Sequence, residues 1–462
     1  LESLEKPQIY IHLRLKILHL LYRQGASVHH WFGRRIRPAG VGALLVVLLG
    51  SFLSVGQPKD PIFQIFCFSL GLVTLSLTWT LFRRAKLSAS LELPRHATAG
   101  EPLRYSVRLK NIGKRKLRNA RLTQTPPDPR PSFAEFAGTP EPGEEKRNLF
   151  DRTMVYYRWQ WLTSRKGAFT PRESVETLSV APGESLRVSM QLTPARRGVI
   201  PMGDVRAMLP DPLGFFQKCS PTRSTPARLV VLPKRYRLPS FSMPGTATFR
   251  IGGEETSNAI GSAGEFVGLR EYRPGDPLRQ IHWKSWAHTG RPMVKELEDN
   301  FFPRYALVLD TFPGSPDYAV FEEMVSIAAS FIVGLDRNES LLDLMFIAGE
   351  AHTVTAGRGM ERTEKLLEVL AGVKVEHGTQ LDLLAQTVIR HREKMTSCLL
   401  VLNGWDESRE HFVKTLVKAA IPCVPIVVGN GTAPPGVIGH WLECGAIARD
   451  LLRLPTTLSA AS

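Results

Sequence analysis

Residues 264–299 read GEFVGLREYRPGDPLRQIHWKSWAHTGRPMVKELED, and the reading of this stretch decides how the rest of the chain is divided. It sets Arg270, Glu271, Arg273, Asp276, Arg279, His282, Lys284 and Arg291 among Phe266, Tyr272, Trp283 and Trp286. A plain surface loop has no need of two tryptophans, and a plain core does not tolerate so many charges. The composition suits a clamp. Rings and long Arg stems bury apolar area, while their heads pair with carboxylates or stack on rings. Pro274, Gly275 and Asp276 make a turn in its middle, where proline presets φ and glycine supplies a permissive backbone. Membrane-type segments precede the clamp, and an α/β domain follows it.

At 462 residues the chain has room for two or three domains, each with its own core. A hydrophobic share of 43% with 22% charged residues is that of folded protein, which excludes wholesale disorder. The formal net charge of +16 favours an anionic neighbour, either nucleic acid or the acidic face of a bilayer. Cys67, Cys219, Cys398, Cys423 and Cys444 are odd in number and show no CxxC spacing. They read as reduced, mostly buried thiols, not as a disulfide framework or zinc site.

Ahead of the clamp, residues 1–38 form a basic segment. IYIHLRLKILHLLYR (residues 9–23) has apolar residues at helical spacing with His12, Arg14, Lys16, His19 and Arg23 between them. It reads equally as a helix lying on a membrane and as an ordinary solvated helix. His29 and His30 precede Trp31 and the run Arg34-Arg35-Ile36-Arg37, a set suited to anchoring at a membrane interface. Two uncharged runs follow, AGVGALLVVLLGSFLSVG (39–56) and IFQIFCFSLGLVTLSLTWTLF (62–82). With so short a link they predict a two-helix transmembrane hairpin over 39–82. Arginines flank both ends of the hairpin, so both ends are expected in the cytoplasm. The chain opens on Leu1 without an initiator Met, which leaves room for residues upstream.

Residues 83–232 alternate apolar and polar positions in short runs broken by Gly, Pro and Asn, the pattern of a β-sandwich-like domain. Residues 126–150 are expected to form a long, mobile loop, and VYYRWQWLTSRKGAF (155–169) a further strand pair. No cluster of His, Cys or carboxylates there suggests chemistry. Residues 233–299 comprise a linker and the clamp. The Gly252-Gly253 pair in the linker lacks the lysine and the strand-to-helix context of a phosphate loop.

Residues 300–430 alternate strands (YALVLD 305–310, LLDLMFIA 341–348, SCLLVLN 397–403, PCVPIVV 422–428) with helices (321–337, then ERTEKLLEVLAG, TQLDLLAQTVIRHREK and SREHFVKTLVKAA). This series predicts a doubly wound, mostly parallel sheet with ligand chemistry at the carboxyl ends of its strands, near Asp310 and Asn403. Residues 431–462 read as a tail.

The clamp, taken with the hairpin, with RRGVIPMGDV and DPLGFF in the β-rich part, and with the βα series, resembles the bacterial membrane proteins of the domain of unknown function 58 (DUF58) family. The resemblance spans residues 35–430. It implies a C-terminal domain similar to von Willebrand factor A domains. It also implies association with a MoxR-type AAA+ ATPase and a transglutaminase-like membrane protein. The clamp residues it singles out for binding are Arg270, Glu271, Tyr272, Arg273, Gly275, Asp276, His282, Trp283 and Lys284. Von Willebrand A domains often hold a divalent ion such as Mg²⁺ with an Asp-x-Ser-x-Ser turn, a Thr and a later Asp. Here Asp310 and Thr379 match, while Phe312 and Gly314 replace the serines and Asn403 replaces the later Asp. The metal set is therefore degenerate, with Asp317 or Asp406 the remaining oxygen donors nearby. The alternative is that Asp310 and Thr379 cap loops by hydrogen bonding to backbone amides.

The leading functional expectation is a non-enzymatic adaptor at the inner membrane of a bacterium. It would be multi-pass, with the bulk of the chain cytoplasmic, and would bind an AAA+ ATPase through the clamp and the α/β domain. The counter-reading is that roughly half of the clamp's charged residues pair internally to hold the β-rich and α/β domains together, which makes the motif partly architecture. A divalent-metal-dependent ligand-binding domain is the first alternative. The second is a hydrolase built on His282, Asp276 and Ser285, although no GxSxG, HExxH or phosphate loop is present. Nucleic-acid binding would use the net charge but has no recognisable module, and anionic lipid explains the membrane-flanking charge more simply.

Overall fold

The architecture is that of a computed structural model, which describes residues 6–53, 61–172, 177–245, 249–250, 265–298, 301–312, 318–336, 341–356, 360–376, 378 and 381–461. The chain divides into two compact units, Leu1–Pro233 and Lys234–Ser462.

The first unit opens with three helices, α1 (Lys6–Gly33), α2 (Pro38–Leu53) and α3 (Pro61–Phe82). The helix expected over 9–23 is thus longer and has two apolar faces. Leu15, Leu18, His19, Tyr22 and Ala26 share one face and pack into a small core with Phe136, Val155, Trp159 and Leu162. Leu13, Ile17, Leu20, Leu21, Val28, Trp31 and Phe32, on the rest of the helix, are exposed. Helix α3 has 22 residues, a mean hydropathy of 1.9 and only 11% of that span buried, so it is long and apolar enough to cross a membrane. Helix α2 is equally apolar but shorter, at 16 residues. The two helices pack closely where Gly50 faces Phe66.

The small core is completed by α4 (Phe133–Gly138), α5 (Leu149–Met154) and α6 (Tyr156–Lys166). These helices correct two expectations, the mobile loop over 126–150 and the strand pair over 155–169. A capping box at Ser132 and Glu135 starts α4, and Asn148 caps α5. The buried positions Val155, just before α6, and Trp159 and Leu162 within it are spaced by about one helical turn, which overrides the strand preference of its many aromatics.

The β-rich part bears out the strand pattern. One five-stranded sheet carries Leu87–Glu92, Leu103–Asn111 and Ser185–Pro194 at its centre, and a four-stranded sheet carries Val205–Pro210 and Leu117–Gln124. Alternate residues of both sheets, such as Val107, Leu109, Ala120, Leu122 and Ala207, meet in one core. A three-stranded sheet of His96–Thr98, Ala227–Leu232 and Gly198–Met202 adds to it.

The DPLGFF stretch joins this part to the apolar helices. Asp211 is buried and accepts hydrogen bonds from Ser76 of α3 and from the Phe216 amide. Ile36 bridges Phe216, and the Arg37 amide donates to the Phe215 carbonyl at 3.0 Å. A Cβ at Gly40 would collide with that same carbonyl oxygen, so only glycine lets α2 begin here.

The second unit is a six-stranded sheet in the order Glu350–Ala356, Leu341–Ala348, Arg304–Leu309, Ser397–Asn403, Cys423–Gly429, His440–Glu443. All pairings are parallel except that of the first edge strand. A short helix, α7 (Trp283–Thr289), lies in the clamp. Helices α8 (Tyr318–Asp336) and α9 (Met360–Gly372) pack together, α8 against the sheet. On the sheet's other face α10 (Leu381–Arg390) and α11 (Glu407–Lys418) share a core with Val308, Ile347, Leu400 and Val427. The doubly wound expectation holds for this mixed α/β unit. Helix α8 also satisfies the length and hydropathy of a membrane span, but 67% of it is buried, as befits a core helix.

Two boundaries differ from expectation. Residues 431–462 are no free tail: His440–Glu443 extends the sheet, α12 (Ile447–Leu451) follows, and the Ala461 amide bonds the Cys423 carbonyl at 2.8 Å. A four-residue strand and a five-residue helix are too short to show a period in sequence. The start of the supposed linker also belongs to this unit, since Leu238 and Phe241 press on Gly334 of α8. Gly252-Gly253, Gly314, Asp317 and Thr379 lie outside the described residues. Of the five cysteines, Cys398 and Cys423 are buried on adjacent strands, Cys219 and Cys444 are half-buried, and Cys67 is exposed on α3.

Candidate functional site

The clamp is an antiparallel strand pair, Glu265–Glu271 with Met293–Glu298, whose connection carries a turn, a short 3₁₀ segment (Leu278–Gln280) and α7. The turn is fastened by Asp276. Its two oxygens accept from the Arg270 guanidinium at 2.7 Å each, and Oδ2 also accepts the Arg273 amide at 2.8 Å. Gly275, at φ 108°, occupies backbone space that other residues avoid. The bidentate Arg270 pair holds the Asp276 carboxyl down at about 2, with the Arg273 amide adding to it. At the far side the amides of Tyr272 and His282 bond the Pro292 and Met293 carbonyls. Ile281 and Val294 form a bridge and are both buried, so the inserted segment has its own anchor.

His282 starts α7. Its Nδ1 lies 2.7 Å from Ser285 Oγ and accepts the Ser285 amide at 3.3 Å, which makes it the cap of the helix. The hydrolase constellation is thus only partly assembled. His282 and Ser285 touch, but Asp276 is committed to Arg270 and Arg273 and does not orient the imidazole. Glu271 pairs with Arg291 at 3.0 Å in a solvent-exposed bridge of small energetic weight. Outward, exposed Arg273, Arg279 and His288 share the surface with aromatic and apolar groups. The Trp283 and Trp286 rings stack at 5.4 Å and 21°, with Trp283 63% exposed and Leu278 67% exposed beside the exposed Lys284.

The second candidate region is the crevice at the carboxyl ends of the strands, where Arg304–Leu309 and Ser397–Asn403 neighbour each other. Asp310 is fully buried there. Its Oδ1 accepts the Phe312 amide at 2.9 Å, and its Oδ2 accepts the Asn403 amide at 3.1 Å and Arg409 Nε at 2.8 Å. Arg409, on α11 and itself buried, also bonds the Phe312 carbonyl and Asp406. Burial raises the Asp310 carboxyl above its ordinary range, with Arg409 and the two amides pulling the other way.

These residues do not fit a divalent ion. The place a cation would take beside Asp310 is filled by a guanidinium, Asp406 serves that same guanidinium and the start of α11, and Asn403 turns its amide nitrogen to the Phe312 carbonyl. Among the described residues no group of three His, Cys, Asp or Glu is placed to hold a metal. The loop-capping alternative describes Asp310 as it stands. Arg409 was the missed residue, and at 99 positions from Asp310 it left no local signal.

Fold and site together define a mixed α/β protein with apolar N-terminal helices and a charged, aromatic clamp. The family model described as "Protein of unknown function DUF58" matches residues 268–418, from the clamp through α11. "Uncharacterized protein YeaD" of Bacillus subtilis (strain 168) is 27% identical over 189 residues, which is 40% of this chain and 46% of that protein. Residues 268–418 are therefore similar to the DUF58 family. The chain thus spans less than half the length of that relative. Among solved structures, the CARDB domain of a Pyrococcus furiosus protein is 10% identical, with 32% of this chain and 97% of that chain covered and a TM-score of 0.16. The ASH/PapD-like domain of human CEP192 is 15% identical, with coverage of 31% and 87% and a TM-score of 0.15. Neither resemblance is close enough to inform the fold.

Proposed function

We propose that this protein is a non-enzymatic, membrane-anchored adaptor whose clamp binds a protein partner of the MoxR-type AAA+ class. The observation that carries the reading is Trp283. It is a large ring, mostly exposed, and stacked on Trp286. The turn beside it is fastened by Arg270 and Asp276. Exposed aromatics held in place before binding lose little entropy on docking and supply much of the energy of protein interfaces. Committing Asp276 to Arg270, and Asp310 to Arg409, leaves neither carboxylate free for acid–base or metal chemistry, which supports binding over catalysis.

The membrane part of the proposal rests on α3, with α2 beside it. Arg83, Arg84 and Lys86 follow α3 and share a cavity of about 920 Å³ with Lys114, Arg115 and Lys116. So dense a positive collar at one end of an apolar helix favours the cytoplasmic side of an inner membrane. The exposed apolar face of α1 fits the same surface. We also read the α/β unit as von Willebrand factor A-like, a reading supported by Asp310 at the end of the first parallel strand. A transglutaminase-like membrane protein is a further partner in this proposal.

The proposal is tested by placing a photo-crosslinking amino acid at position 283 of the full chain in native membranes. A crosslink to an AAA+ ATPase upholds it. Crosslinks to lipid alone, or none at all, overturn it.

A further inference from the structure

A cavity of about 660 Å³ lies in the first unit between the end of α1, the loop after Leu117–Gln124 and the strand Val205–Pro210. Its charged lining is almost all cationic: Arg34, Arg35, Arg130 and Arg206, with His30 beside them, against the lone carboxylate of Asp128. That carboxylate is already used, since Arg130 Nε and Nη2 reach its two oxygens at 2.7 and 2.6 Å. Arg35 lies over the Trp31 ring at 4.4 Å. Arg34 and Arg206 have no carboxylate partner among the described residues.

Their surroundings make this costly. Among the described residues, Arg206 Nη1 reaches the Cys219 sulfur at 3.9 Å, while its Nε is buried without a hydrogen-bond partner, as is Thr125 Oγ1 in the same wall. Burial lowers the Arg34 guanidinium, with Arg206 beside it adding to the effect. Burial also lowers His30, and Arg34, Arg130 and Arg206 push in the same direction. Two half-buried guanidiniums sharing a cavity with orphaned donors repel one another unless an anion lies between them.

We infer that this cavity is a binding site for a phosphate group, held between Arg34 and Arg206 with Thr125 Oγ1 as a further donor. Guanidiniums match phosphate oxygens in pairs, and the hydroxyl supplies the kind of neutral contact such sites add. Arg34 and Arg35 lie a few residues before α2, so the site stands near the start of an apolar helix, and the apolar faces of Trp31, Pro126 and Pro129 line it. The phosphate can belong to an anionic lipid headgroup or be free in solution. The inference is independent of the clamp and of any protein partner.

The test uses the full chain in neutral detergent and in nanodiscs, with the intact protein compared with Arg206→Gln and Arg206→Lys. Inorganic phosphate is added to the detergent sample, and phosphatidylglycerol replaces part of the phosphatidylcholine in the nanodiscs. The intact protein is expected to melt higher with one or both additions. Arg206→Gln should bind the effective anion roughly tenfold or more weakly and lose the gain, while Arg206→Lys keeps part of it. In anion-free detergent Arg206→Gln should melt no lower than the intact protein, because it removes a repulsion; this shows that the variant folds. A response to phosphate assigns a soluble ligand, and a response to phosphatidylglycerol alone assigns the headgroup. If neither raises the melting temperature, or if Arg206→Gln responds as the intact protein does, the site does not exist.

Discussion

Arg409 Nε lies 2.8 Å from Asp310 Oδ2, and both side chains are shut away from water, at 3% and 0% exposure. Asp310 ends the first parallel strand and Arg409 sits on α11, so this one pair ties a crevice loop to a helix far along the chain. Removing one partner of a buried pair leaves the other charge stranded. We expect Arg409→Met to destabilise the protein by about 3–5 kcal/mol in denaturant titration. The double variant with Asp310→Asn should recover much of that loss. If Arg409→Met alone were neutral, the pair would not be closing the crevice.

The clamp turn carries a pH signature. Asp276 titrates at about 2, below its ordinary 3.8, because Arg270 and the Arg273 amide favour its charged form. A depressed folded value means stability that is present above the unfolded value and is lost as pH falls through the folded one. The turn should therefore hold at neutral pH and loosen between about pH 4 and pH 2. Carboxyl NMR on the full chain should show Asp276 moving up toward 3.8 in Arg270→Ala. An unchanged titration would show that the pair does not form in solution.

Helix α1 depends on the α4–α6 insert. His19 Nε2 lies 3.0 Å from the Pro131 carbonyl, and Trp159 is buried against that helix. Truncating a large buried ring commonly costs about 3–5 kcal/mol. Trp159→Ala should expose α1 to limited proteolysis within residues 6–33 while leaving the melting of the second unit unchanged. Equal protection of α1 in both proteins would contradict this packing.

Gly40 marks the junction between α2 and the DPLGFF stretch. Gly40→Val would drive its side chain into the Phe215 carbonyl and break the seam beside Ile36 and Phe216. We expect lower yield of folded protein from membranes and a lower melting temperature. Gly42→Val, where a Cβ meets no neighbour within 4 Å, serves as the tolerant control. Equal behaviour of the two variants would dissociate the seam from folding.

How much of this was legible in the sequence depends on the length of each signal. LLDLMFIA and SCLLVLN are unbroken apolar runs, so both appear as strands with the bounds read from sequence alone. The apolar run of α3 was equally plain, because nothing but a membrane or a core suits 22 such residues. Helix α6 was misread since Tyr156, Tyr157, Trp159 and Trp161 favour strands, and only packing on α1 selects the helix. The Ser132–Glu135 box was a local signal that could have revealed α4. Within the clamp, the charges and rings stood out as a group, but which carboxylate met which arginine depended on the turn geometry around Gly275. His30, Arg34 and Arg206 could not be joined from sequence, because the last two lie 172 positions apart and no spacing rule links them.

The central claim is that the clamp binds a partner through Trp283, and affinity capture from native membranes tests it most directly. The intact protein is compared with Trp283→Ala, a substitution at an exposed position that should leave the melting curve unchanged. The account predicts that an AAA+ ATPase co-purifies with the intact protein and falls away from Trp283→Ala by roughly tenfold or more, the loss of a binding hot spot. Equal capture by both proteins, or capture by neither, would contradict it.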